Sequence, residues 1–116
     1  MGQLTTHVLD ISAGLPAGGV RIELHAREIE GLRLLASVAT GPDGRLPAPL
    51  LSGAQFKTGS YLLKFHTAEY FRSRGVQLPQ PAFIEQASIE IGIAADQHYH
   101  VPLLIAPWSY SVYRGG

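Results

Sequence analysis

Cysteine is absent from the 116 residues, which excludes disulfides, thiolate metal ligands and a cysteine nucleophile. An excess of either charge is missing too. Lys plus Arg and Asp plus Glu each number 9, and charged residues make up only 16% of the chain. Such a surface has no field to draw in nucleic acid or an anionic bilayer, so neither is expected as a partner. No apolar run approaches membrane-spanning length. The first residues, Met1-Gly2-Gln3-Leu4-Thr5-Thr6-His7, carry neither the basic nor the apolar region of a signal peptide. The expected location is cytoplasmic. Gly2 with Thr6 loosely matches a myristoylation pattern, but Thr5, Thr6 and His7 have the character of strand residues, so the match reads as coincidence. A Gly-x-Ser-x-Gly nucleophile elbow is also missing, as are internal repeats, low-complexity tracts and linkers.

What remains is 46% hydrophobic, enough for one compact domain over residues 1–116 with a sizeable core. The hydrophobic pattern has period two nearly everywhere. Val20, Ile22, Leu24 and Ala26 alternate with Arg21, Glu23, His25 and Arg27, a strand with one wet face. Leu32, Leu34, Ala36 and Val38 continue the theme, followed by Tyr61, Leu63 and Phe65, then Ala87, Ile89, Ile91 and Ile93, then Tyr99, Val101, Leu103 and Ile105. Turn signals separate these runs at Gly14-Leu15-Pro16-Ala17-Gly18-Gly19, Gly41-Pro42-Asp43-Gly44 and Pro79-Gln80-Pro81. Short strands at regular spacing with turn-rich connections predict an all-β sandwich. One segment differs: Thr67 is placed to cap a short helix over residues 68–74, with Gly75 as its left-handed stop.

Five histidines are the main candidates for chemistry. Side chains alternate along a strand, so His98 and His100 share one face, opposite Tyr99 and Val101. Three readings fit that pair: partly exposed structural histidines, a metal-free catalytic pair, or two zinc ligands completed by His7 or His66. In Leu4-Thr5-Thr6-His7-Val8-Leu9-Asp10, His7 shares a face with Thr5 and Leu9. Asp43-Gly44-Arg45 is by itself a tight turn with a solvated arginine. Trp108, Tyr110 and Tyr113 put aromatic surface on the final segment, suited to an interface or to core packing alike.

Three of these segments together resemble the 5-hydroxyisourate hydrolases, transthyretin-like enzymes of urate breakdown. The stretch from His98 through Ser111 with the tail Tyr113-Arg114-Gly115-Gly116 resembles their C-terminal signature. Leu4 through Asp10 resembles the N-terminal one, and Asp43-Gly44-Arg45 the turn that presents the active-site arginine. The Gly59-x-Tyr61-x-Leu63-x-Phe65 pattern and Tyr70-Phe71 also fit, so the resemblance covers nearly the whole chain. It departs at the last residue, Gly116, where the family usually ends in serine.

The resemblance implies a transthyretin-like β-sandwich of about eight strands with one short helix. It implies hydrolysis of 5-hydroxyisourate at the N1–C6 bond, yielding 2-oxo-4-hydroxy-4-carboxy-5-ureidoimidazoline, with neither cofactor nor metal. His7, Arg45 and His100 are the implied catalytic residues, with His98, Tyr113, Arg114, Gly115 and Gly116 also binding substrate. Those residue types suit the reaction. A neutral imidazole can take a proton from attacking water at neutral pH, and a fixed guanidinium can stabilise the charge gathering on the attacked carbonyl. The resemblance further implies a homotetramer, a dimer of dimers whose sites lie between subunits. The alternatives are a transthyretin-type carrier of small hydrophobic ligands and a zinc hydrolase built on His98 and His100.

Overall fold

The computed structural model describes residues 2–116, whose strands form two sheets. One contains β1 (Gln3–Asp10), β2 (Leu15–Pro16), β5 (Leu51–Ser52), β8 (His98–Ala106) and β9 (Ser109–Val112). There β1 lies between β2 and β8, β9 flanks β8, and β5 also pairs with β1. The other sheet runs in the order β4 (Gly31–Ala39), β3 (Arg21–Glu28), β6 (Gly59–Phe65), β7 (Ala87–Ile93). A short helix, α1 (Thr67–Ser73), links β6 toward β7. The expected all-β sandwich with one short α-helix is the architecture found.

The core forms where the inward faces of the two sheets meet. Leu4 and Val8 of β1 and Leu103 and Ile105 of β8 oppose Ile22 and Leu24 of β3 and Leu63 and Phe65 of β6, all fully buried. Each such side chain contributes about 1.5–3 kcal/mol relative to an exposed one. Tyr70 and Phe71 bring the helix into the same cluster. The Tyr70 hydroxyl donates to the buried Asp10 carboxylate at 2.9 Å, and the Ser12 hydroxyl and the amides of Ser12 and Ala13 donate to it as well. Burial pushes the Asp10 pKa up, but these four donors together outweigh it and hold the group below its ordinary value.

Two local expectations are corrected. The run Leu32, Leu34, Ala36, Val38 does not keep one face, because an irregularity in the β3–β4 ladder makes Leu24 pair with Ala36 but His25 with Leu34. The extra residue, Leu35, packs against the core, while Leu32 and Leu34 turn outward with Arg27 and His25 and stay exposed. At the helix, His66 and not Thr67 occupies the N-cap position, and no side chain caps the end. The Thr67 hydroxyl is buried without a partner among the described residues. Gly75 does stop the helix in the left-handed region, at φ +84°.

The remaining histidines belong to the outer face of the second sheet. The Glu23 carboxylate accepts from His66 Nε2 at 2.8 Å and from His25 Nε2 at 3.0 Å, and Arg21 donates to His66 Nδ1 at 3.3 Å. Those two histidine bonds, that of His66 first, hold the Glu23 carboxyl below its usual range. His66 therefore sits in a structural network on the sheet opposite His98 and His100. No group of three or more His, Cys, Asp or Glu side chains is placed to hold a metal among the described residues.

Candidate active site

The site is assembled by the pairing of β1 with β8. These strands run parallel, with Gln3 opposite His98, Thr5 opposite His100 and His7 opposite Pro102. Inward positions Leu4, Thr6 and Val8 are buried, so alternation turns Thr5, His7, His98 and His100 to the other face. Two segments from opposite ends of the sequence thus supply one polar patch. The His98 and His100 rings lie nearly parallel, 6.3 Å apart with an interplanar angle of 11°.

The turn at Gly41–Arg45 delivers the guanidinium to the same edge. Asp43 accepts the Arg45 amide through its side chain at 3.0 Å, and the Gly44 amide bonds to the Gly41 carbonyl at 2.9 Å. Arg45 then bridges to His7 across the strand edge. Gly44 is required here: its φ is +77°, and a Cβ would collide with the Val8 carbonyl oxygen and crowd His7 Cδ2 at 3.2 Å. The same turn fixes His7. Its Nε2 lies 3.0 Å from the Asp43 carbonyl oxygen, which only accepts, so the proton sits on Nε2 and Nδ1 is free.

The final residues are tied down. The Gly115 amide donates to the His100 carbonyl at 2.7 Å and the Tyr113 amide to that of Pro102 at 3.4 Å, extending the antiparallel path of β9 along β8. The Arg114 guanidinium lies over the Tyr99 ring, 4.1 Å from its centroid, and donates to Gln97 Oε1 and to the His98 carbonyl.

A cleft of about 450 Å³ results, lined among others by Thr5, Arg45, His98, His100 and Gly116, with Pro47 on one wall. Tyr113 and Arg114 face a separate groove of about 460 Å³ between β7 and β8, beside Ile91, Tyr99 and Val112. Within this chain, then, Arg45, His98, His100 and Gly116 come together, His7 pairs with Arg45 through the backbone without lining the cleft, and Tyr113 and Arg114 face elsewhere. Burial is the largest influence pushing the His100 imidazole below its ordinary value, and the charges of Arg45, His98 and His7 push in the same direction. At neutral pH His100 is therefore a neutral base beside a permanent cation.

Thr5 is the cleft residue that sequence reasoning missed. Its hydroxyl lies 2.7 Å from His100 Nδ1. The only signal for it was the face it shares with His7, which carries no information about its strand partner. Trp108, Tyr110 and Tyr113 are not core residues in this chain: their relative exposures are 58%, 39% and 58%. Trp108 stacks with the exposed Phe83, ring centroids 5.9 Å apart. No helix among the described residues is long and apolar enough to cross a membrane.

Comparison with known proteins bears on the family and the fold. Residues 4–115 match the family described as "HIUase/Transthyretin family". The chain is 54% identical over 116 residues to "5-hydroxyisourate hydrolase" of Pseudomonas aeruginosa, covering 99% of this chain and 92% of that protein. Among solved structures it superposes on Klebsiella pneumoniae 5-hydroxyisourate hydrolase with a TM-score of 0.82 and 39% identity, covering 100% of both chains. It also superposes on (S)-allantoin synthase with a TM-score of 0.92 and 42% identity, spanning 99% of this chain but only 44% of that one.

Proposed function

The chain belongs to the HIUase/transthyretin family, and we propose that it is a 5-hydroxyisourate hydrolase that opens the N1–C6 bond with a water molecule activated by a histidine base. One observation carries this assignment of the chemistry: a neutral imidazole, His100, and a guanidinium, Arg45, line the same cleft.

His100 takes a proton from water as its oxygen bonds to C6. Arg45 offsets the negative charge developing on the C6 oxygen. The N1–C6 bond then breaks and N1 receives the proton held by the imidazolium, so one water is added and His100 returns to its neutral form. His98 and Gly116 border the substrate, and His7, paired with Arg45 through the backbone, adds a third imidazole to the site. A carrier of hydrophobic ligands has no use for two imidazoles and a guanidinium in its cleft, and this disfavours the carrier reading.

The proposal includes a homotetramer in which a neighbouring subunit closes the cleft. The support is physical: Phe83, Trp108, Tyr110 and Tyr113 are large exposed aromatics, and β7 and β9 end their sheets with unpaired edges. Tyr113 and Arg114, turned from the cleft of their own chain, are then available to another.

Ultraviolet monitoring of freshly generated 5-hydroxyisourate, with and without the protein, tests the activity. Decay no faster than the spontaneous rate refutes it. Light scattering at assay concentration tests the assembly, and a fully active monomer refutes the shared site.

A further inference from the structure

We infer that Thr5 is a positioning residue for the reaction, its hydroxyl bridging the two cleft imidazoles and holding His100 in the tautomer with a free Nε2. The inference rests on the reading of His100 as the general base.

The geometry is specific. Thr5 Oγ1 stands 2.7 Å from His100 Nδ1 and 3.4 Å from His98 Nε2, a short contact and a long one on a single oxygen. Parallel pairing sets Thr5 directly opposite His100 and one alternation step from His98. Thr5 and His100 are both partly buried, and Thr5 lines the cleft. Being β-branched, threonine has a restricted χ1, so its oxygen is held in place.

A hydroxyl has one proton to give and lone pairs to receive. If Thr5 donates to His100 Nδ1, the imidazole proton lies on Nε2, and the ring presents an acid to the cleft. If His100 Nδ1–H donates to Thr5 Oγ1, Nε2 presents a lone pair and the ring is a base. The second state is the one assigned, with His98 Nε2 unprotonated and accepting the Thr5 proton; the reverse chain, with a proton on His98 Nε2, would leave His100 an acid toward the cleft. A chain then runs from His100 Nδ1–H to Thr5 Oγ1, and from Thr5 O–H to His98 Nε2. When water gives its proton to His100 Nε2, the imidazolium keeps both N–H bonds and its Nδ1–H donor already has an acceptor. No group must rotate during the step, the economy expected of a preorganised site. The second ring nitrogen is the one whose bond decides which end of a histidine reacts.

The test uses the full-length protein with Thr5→Val, which keeps the shape and removes the hydroxyl, and Thr5→Ser, which restores it. With 5-hydroxyisourate, Thr5→Val is expected to lower kcat roughly 100-fold, the lower end of the range for acid–base assistance, with KM changed less than about twofold because the hydroxyl orients the base and not the substrate. Thr5→Ser should recover most of that loss. Nitrogen-15 chemical shifts of His100 at neutral pH should show the Nδ1–H tautomer in the wild type and its loss in Thr5→Val. Wild-type kcat in Thr5→Val, or equal losses in both variants, overturns the positioning role. So does an Nε2–H tautomer in the wild type, a reading that needs neither variant to fold. A wild type in the Nδ1–H form that hydrolyses nothing would instead refute the general-base reading while leaving the hydroxyl bridge in place.

Discussion

Gly115 lies against His100 twice over: its amide donates to the His100 carbonyl at 2.7 Å, and a Cβ on it would come 2.7 Å from His100 Cδ2. The backbone approaches the imidazole so closely that any side chain at 115 must displace the ring. Gly115→Ala should therefore move His100 away from its Thr5 contact. A misplacement on the order of 1 Å costs about 100-fold in rate, and overpacking of this kind costs about 1–3 kcal/mol of stability. Steady-state kinetics with a denaturation curve checks both, and unchanged kcat would show that the ring has room to spare.

His100→Asn and His7→Asn should each cut kcat by roughly 10²–10⁴, the range for lost acid–base assistance. His98→Asn should be milder, because His98 acts on His100 indirectly, through the long contact to Thr5 and through its charge. Folding should persist in all three, since none of these side chains is in the buried core. A larger loss at His98 than at His100 would reverse the assignment of the pair.

Arg45→Lys keeps the charge and loses the planar fork, so much of the activity should still disappear. The substitution leaves a cation near His100, so the depressed imidazole pKa should survive it, whereas Arg45→Met should let that pKa rise. Titration of His100 in both variants reads this directly.

The pH dependence follows from the direction of the His100 shift. Its pKa lies below the ordinary 6.5, through burial first and then Arg45, His98 and His7. The neutral base thus persists to lower pH than a free imidazole, and kcat/KM should fall only as pH drops through the depressed value. The stability sign is the same. In the window between the folded and unfolded values the unfolded chain binds the extra proton, so stability is full above the unfolded pKa and is lost as pH falls through the folded one. A rate still climbing steeply above pH ~8 would contradict a neutral-histidine base.

Deleting residues 113–116 should abolish turnover and leave the sandwich folded. It removes the Arg114 stack on Tyr99 and the Gly115 contact to His100 but no residue of the buried core. Gly116→Ser should leave activity unchanged or raise it by no more than about one good hydrogen bond, ~0.5–1.5 kcal/mol. Full activity in the truncated chain would remove these residues from the site.

The sequence by itself determined the sandwich and singled out Arg45, His98, His100 and Gly116, which line one cleft. Alternation at Val20–Ala26 and Tyr99–Ile105 carries its own geometry, because a period of two allows only one face inward. It also put His98 with His100 and His7 with Thr5. Only the tertiary structure decided which of these pairs face each other. The parallel register of β1 on β8 is a long-range contact, and no local pattern encodes which strand becomes the neighbour of which. That register sets Thr5 on His100 at 2.7 Å. The same limit explains the errors. The extra residue at Leu35 flips Leu32 and Leu34 outward because the ladder with β3 shifts there, and His66 was lost to the site because it directly follows β6, a strand of the opposite sheet. Side-chain spacing is local physics and survives folding, whereas partnership between strands is fixed only when the whole core closes.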